Sequence, residues 1–248
     1  MEIDSIACIG CGQCRNYCIM GCIEFERGGK KNKIYCKVDE RECVDCGICL
    51  RSGVCPADSL HQPEHGWPRS IRGTFSNPLA EHKETKVPGR GTEEIKTNDI
   101  TNRYKRGFAG IAAELGRPGT GARMSEVQKV FRALAGLNVE FESKNPLYSL
   151  VANKETGDML PEVLDEKVLS CIIEFIVPIG MVVPVLDTLE RAAGEIDTLF
   201  SIGITTRTDE NLDVPAALVL DKNGRWYSFN GKTNLGLGKL TVKGASGI

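Results

Sequence analysis

The sequence has little net charge of either sign: 31 lysines and arginines stand against 33 aspartates and glutamates, a formal balance of −2. No global basic field argues for nucleic acid, and the short run Arg103-Tyr104-Lys105-Arg106 has neither a basic face nor stacking aromatics around it. It reads as a solvated run that can also touch an acidic partner. Histidine is scarce, with only His61, His65 and His82, and these lie without convergent partners, as ordinary polar residues do. There is no Ser/His/Asp set and no convergent carboxylate pair. The segment from Gly116 to Gly121, flanked by Arg117 and Arg123, leads toward a helix, where an anion site is conceivable. It lacks the Gly-Lys-Ser/Thr ending of a phosphate loop and is no dinucleotide fingerprint, so a plain strand-to-helix connection is the simpler reading. Bond-making chemistry therefore has no visible constellation. The only long apolar run is Val168 to Leu186, which contains Glu174 and is broken by Pro178 and Pro184. It reads as a buried strand, a turn and a helix start rather than a membrane span. No targeting segment precedes Cys8, and the expectation is a soluble, cytoplasmic protein with no membrane partner.

What the sequence does have is cysteine, and in one place. Ten of its eleven cysteines fall between Cys8 and Cys55. One run is Cys8-Ile-Gly-Cys11-Gly-Gln-Cys14-Arg-Asn-Tyr-Cys18, and the other is Cys43-Val-Asp-Cys46-Gly-Ile-Cys49-Leu-Arg-Ser-Gly-Val-Cys55-Pro56. Two-residue gaps let a single loop fold three thiolates around one metal cluster, leaving a fourth cysteine free to reach another. Structural zinc also uses C-x2-C pairs, but two pairs make a zinc site, whereas each run here has three close cysteines plus one. A disulfide framework suits secreted chains and is disfavoured for a cytosolic one. Cys22 and Cys36 are left over, on expected strands Cys22 to Glu26 and Lys33 to Val38 joined at Gly28-Gly29, and read as small packing residues.

On these residues the segment resembles the two-cluster bacterial-type ferredoxins, whose fourth cysteine ligates the other cluster. The resemblance covers residues 1–60 and implies two [4Fe-4S] clusters. Cys8, Cys11, Cys14 and Cys55 would hold one; Cys43, Cys46, Cys49 and Cys18 would hold the other. Ile19 stands where the family usually has proline, and five residues separate Cys49 from Cys55 where three are usual. Each cubane with four thiolates carries about −2 when oxidised, which would make this domain more acidic than its sequence and attractive to a partner's basic patch.

Residues 61–102 are rich in Pro, Gly, Thr and charge and lack periodicity, as an extended linker or docking arm would be. Trp67, Ile71, Phe75 and Leu79 recur every fourth residue, and the interleaved Pro68, Gly73 and Pro78 favour apolar anchors over a regular helix. From 103 to 248 order returns, with a strand from Gly107 to Leu115 and a helix opened by the capping box Ser125-Glu-Val-Gln128 and closed at a left-handed Gly136. An extended stretch from Val139 to Asn153, a strand from Leu169 to Val177 with Cys171 as a core thiol, a helix from about Pro184 and a strand from Ile196 to Thr206 follow. The tail suggests a hairpin, Ala216 to Leu220 and Trp226 to Phe229 joined through Asn223-Gly224. The fold class is thus α+β: a small ferredoxin domain, a long irregular arm and an α+β sandwich. The order strand, helix, strand, strand, helix, strand over residues 105–206 resembles the ferredoxin-like βαββαβ fold, whose versions include ACT-type regulatory domains.

Function follows from the cysteines. The expectation is a non-catalytic electron-transfer subunit of a multi-subunit oxidoreductase, passing single electrons to or from a catalytic partner that holds a flavin or metal. A soluble electron carrier and a second copy bound through the C-terminal domain are further partners to expect. A different class is a redox- or ligand-responsive regulator built on an ACT-like domain.

Overall fold

The computed structural model describes residues 1–28, 33–90, 103–117, 119–137 and 139–228, and the backbone of 237–238. The turn expected after Gly28, residues 91–102 of the arm and most of the glycine-rich tail fall outside them. The chain mixes helices with several small antiparallel sheets. Among the described residues no helix is long and apolar enough to cross a membrane.

In the cysteine-rich segment, β1 (Ile23–Gly28) and β2 (Lys33–Val38) form an antiparallel ladder from Ile23 opposite Val38 to Gly28 opposite Lys33. Glu2–Ile3 pairs with Leu60–His61, which brings the two ends of the segment together. A helical turn, α1 (Ile48–Arg51), follows Cys46. The small core beneath these elements is made largely of thiols: Cys8, Cys14, Cys22, Cys36, Cys43 and Cys49 are all buried in it.

The segment 61–102 is not irregular throughout, because Ser70–Ser76 forms a helix, α2. Two of the four periodic apolar residues are buried on it, Ile71 and Phe75, and both belong to the main core; Trp67 and Leu79 are exposed. Both ideas about the four residues are therefore half right. The short helix carries the anchors, and the flanking prolines limit its length rather than preventing it.

The C-terminal half is built on β3 (Phe108–Leu115), β4 (Glu140–Phe141), β5 (Cys171–Pro178), β6 (Leu199–Thr206) and β7 (Leu237–Gly238). The strand order is β7-β6-β3-β5-β4, with every neighbouring pair antiparallel. Register explains its two faces. Leu115 lies opposite Cys171, Ala113 opposite Ile173 and Ile111 opposite Phe175, and all six side chains enter the core. That core is completed by Val127, Val130, Phe131 and Leu134 of α3 (Met124–Ala135) and by Val185 and Leu189 of α4 (Val182–Ala193). The alternate residues point the other way, and this second face is covered too. Glu114 is paired there with Arg90 at 2.5 Å, and a side chain at Gly110 would stand 2.2 Å from the Tyr104 ring.

Three local expectations need correction. Ser125 lies inside α3 and caps nothing, since Arg123 is the N-cap residue and has no side-chain bond to the helix. The amides of Met124 and Ser125 donate instead to the carbonyls of Glu166 and Leu164, at 2.9 and 3.0 Å. Gly136 is right-handed (φ −66°). Residues 215–222 form α5 (Pro215–Lys222) rather than a strand, and 225–228 are not one either. Pro215 at the first turn supplies a helical φ without needing its missing N–H. Asn223-Gly224 then ends the helix instead of turning a hairpin: Gly224 has φ +63°, its amide donates to Asp221 and that of Arg225 to Leu220.

Candidate metal centre

The second cysteine run is shaped by its own backbone. Cys43 follows a turn in which its amide and that of Glu42 donate to the Asp39 carbonyl, and Gly47, left-handed at φ +71°, turns the chain from Cys46 into α1. Cys46 and Cys49 thereby face the space that Cys43 lines. Cys18 comes to that space from the other run. One cavity, about 330 Å³ counting its open mouth, is lined by Cys18, Cys43, Cys46 and Cys49 together with Cys22 and the apolar side chains of Met1, Met20, Ile23, Val38 and Val44. The residues that the ferredoxin resemblance assigns to one cluster are therefore brought together. Thiol donors in an apolar wall are also the right chemistry for iron and sulfide.

The first set is only partly assembled. Cys8 and Cys14 are buried in the thiol core, with Cys36 beside them: the Cys36 amide donates to Cys8 Sγ at 3.4 Å. Cys11 is exposed. Cys55 packs at the margin of the same core, but its Sγ is engaged with Ser59, at 3.2 Å from the hydroxyl and 3.3 Å from the amide. Among the described residues no three His, Cys, Asp or Glu side chains stand close enough to share one metal ion.

The electrostatics separate the thiols. Burial, helped by neighbouring Cys36, Cys8 and Cys49, pushes Cys14 up to about 12, and burial with the surrounding thiols pushes Cys49 up to about 11. Cys18 moves the other way, to about 6, because Cys22 hydrogen-bonds its sulfur; Cys22 is correspondingly raised by Cys18. Cys43 is also lowered through Cys22.

A buried carboxylate and three arginines frame the second run. Asp45 meets the amine of Met1 at 2.5 Å and Arg69 at 3.1 Å, and these cations hold it below the usual carboxylate range against its burial. Arg72, itself buried, donates to the carbonyls of Glu40 and Cys43 at 2.7 and 2.8 Å and pairs with Glu166 of the C-terminal half. Glu42 adds a second joint between the halves, through Arg123 at 2.8 Å and Lys167 at 2.5 Å.

The other candidates resolve into structural roles. The start of α3 is closed to anions by the two carbonyls on its amides, and Arg117 turns back to Glu114 at 3.3 Å. His82 is buried edge-on against Phe75 and hydrogen-bonds the Gly89 carbonyl at 2.7 Å, while His61 pairs with Glu2 at 3.1 Å. His65 lies 3.8 Å from Asp45. Arg103 pairs with Glu142, and Arg106 lies 3.5 Å from Glu210. Cys171 is fully buried and raised by burial, an inert core thiol. Sequence reasoning missed Arg69, Arg72 and Asp45, whose roles depend on partners distant in the chain. No family model, curated protein or solved structure matches this chain.

Proposed function

We propose that this protein is an iron-sulfur electron-transfer subunit, with residues 1–60 forming a bacterial-ferredoxin-type domain and residues 105–206 a ferredoxin-like βαββαβ domain. When bound, two [4Fe-4S] clusters supply single-electron transfer. The observation that carries the reading is the position of Cys18. It stands 25 positions before Cys43 in the chain and lines one cavity with Cys43, Cys46 and Cys49. Local spacing alone does not require that crossing, whereas a crossed pair of ligand sets does.

The surrounding residues divide the tasks. Met1, Met20, Val38 and Val44 exclude water from the second site, and Arg72 holds the loop that carries Cys43 by two carbonyls. The first run is open by comparison: Cys11 is exposed, as are Ile6, Ile9, Phe25 and Ile34. A catalytic partner with a flavin or metal, or a soluble carrier, would meet that exposed end. The C-terminal half backs the second site. Its strand order supports the βαββαβ reading, since β3, β4, β5 and β6 fall in the sheet as β6-β3-β5-β4, each helix-linked pair flanking a third strand.

Iron analysis tests this directly. Anaerobically purified protein should contain about eight irons and eight sulfides per chain, and the reduced protein should give the paramagnetic signals of two interacting cubanes. About four irons, or zinc in their place, would overturn it.

A further inference from the structure

The cavity at the second site has one thiol more than a cubane needs. Cys22 lines it with Cys18, Cys43, Cys46 and Cys49. Its Sγ lies 3.4 Å from Cys18 Sγ, and its amide donates to Cys18 Sγ at 3.3 Å. A tight turn enforces this closeness. The Gly21 amide donates to the Cys18 carbonyl at 3.0 Å, and Gly21 is left-handed at φ +63°, so the chain doubles back and sets Cys22 beside Cys18. Cys22 is buried, 5% exposed, whereas Cys18 is half-buried. The thiol less open to water is thus the one that the ferredoxin pattern leaves without a task.

We infer that Cys18 and Cys22 are alternative ligands for one coordination position of the second cluster, with Cys22 able to replace Cys18. The inference rests on the two-cluster reading above. The exchange is balanced without any outside reagent. The iron–sulfur bond to Cys18 breaks and one to Cys22 forms, while the Cys22 thiol proton passes to the released Cys18 sulfur across the 3.4 Å contact. No electron is gained or lost. The ligand not in use remains as a hydrogen-bond donor to the one that is, and such bonds to ligand sulfur tune a cluster's potential.

The test uses alanine, which cannot ligate iron. Wild type, Cys18→Ala, Cys22→Ala and the double variant are reconstituted anaerobically, with iron counted and the reduced proteins examined by electron paramagnetic resonance. About eight irons are expected in wild type and in both single variants, and about four in the double variant, whose remaining cluster shows that the chain still folds. The two singles should differ in one cluster's signal and potential and agree in the other's. If wild type holds about eight irons but Cys18→Ala holds about four, Cys22 is not a ligand and the proposal fails while the two-cluster reading stands. Eight irons in the double variant would also sink it, by showing that neither thiol is needed. Wild type without two clusters would overturn both.

Discussion

Replacing Arg72 by methionine should separate the two halves of this protein energetically. The guanidinium is buried on α2, with 6% of the side chain exposed, and its partner Glu166 is 11% exposed. Methionine keeps the stem and the helix but leaves the Glu166 carboxylate without its cation and the Cys43 carbonyl without the Arg72 donor, while the Glu40 carbonyl keeps Arg69 at 3.2 Å. Stranding one member of a buried pair costs about 3–5 kcal/mol, and an orphaned buried carbonyl about 1 kcal/mol or more. These costs overlap as water enters, so the expected loss is about 4 kcal/mol. With a urea slope of about 2 kcal/mol/M, the unfolding midpoint falls by about 2 M. Urea titration followed by circular dichroism, on anaerobic protein, measures it. Two companions make the reasoning specific. Arg132→Met removes a pair with Asp158 whose side chains are 56% and 38% exposed, and should cost less than about 1 kcal/mol. Arg72→Met combined with Glu166→Met removes the stranded charge and should recover a large part of the loss. An Arg72→Met protein within about 1 kcal/mol of wild type, or a double variant no better than the single, would refute the account.

Phe75→Ala should cost about 3–4 kcal/mol, since its ring is 4% exposed in the main core; Leu79→Ala, four residues on and 72% exposed, should cost about 0.5 kcal/mol or less. Equal urea midpoints for the two variants would mean that α2 is not anchored as described. Burial lowers the titration of His82 below its ordinary 6.5, so the folded protein holds it neutral and binds fewer protons there than the unfolded chain. Its contribution is therefore present above pH 6.5 and is lost as pH falls from 6.5 toward the depressed folded value. A His82→Gln variant should lose less stability than wild type over that window, and a wild-type-to-variant difference that stays constant with pH would contradict it. On the proposed two-cluster reading, removing iron with a chelator should loosen residues 1–60 selectively, because their core is mainly thiols, while the apolar core of the sheet persists. Hydrogen exchange should show lost protection in β1 and β2 and retained protection in β3 and β5. Uniform loss would show that the halves melt as one.

The difference between what could and could not be read beforehand lies in where each residue keeps its partner. β5 was legible because Cys171 to Val177 is a short run, apolar but for Glu174 and rich in β-branched residues, and a strand buried on both faces leaves that signature locally whatever it packs against. The cysteine runs stood out for a related reason, since their crowding is visible in the sequence itself, and Cys18, Cys43, Cys46 and Cys49 line one cavity in the fold. α5 was misread because Ala216 to Leu220 is nearly all apolar and carries neither period, so Pro215, which starts a helix well, was the better signal. Arg72 had no signature at all. It sits in a stretch broken by proline and glycine, bonds to carbonyls that every residue possesses, and finds its carboxylate 94 positions away. Cys22 falls between these cases. Its identity was plain, but spacing could not distinguish an isolated packing thiol from one whose sulfur lies 3.4 Å from Cys18 Sγ, because that depends on the left-handed Gly21 folding four residues back on themselves. A glycine before a surplus cysteine, four positions after an expected ligand, is the pattern that would have exposed it.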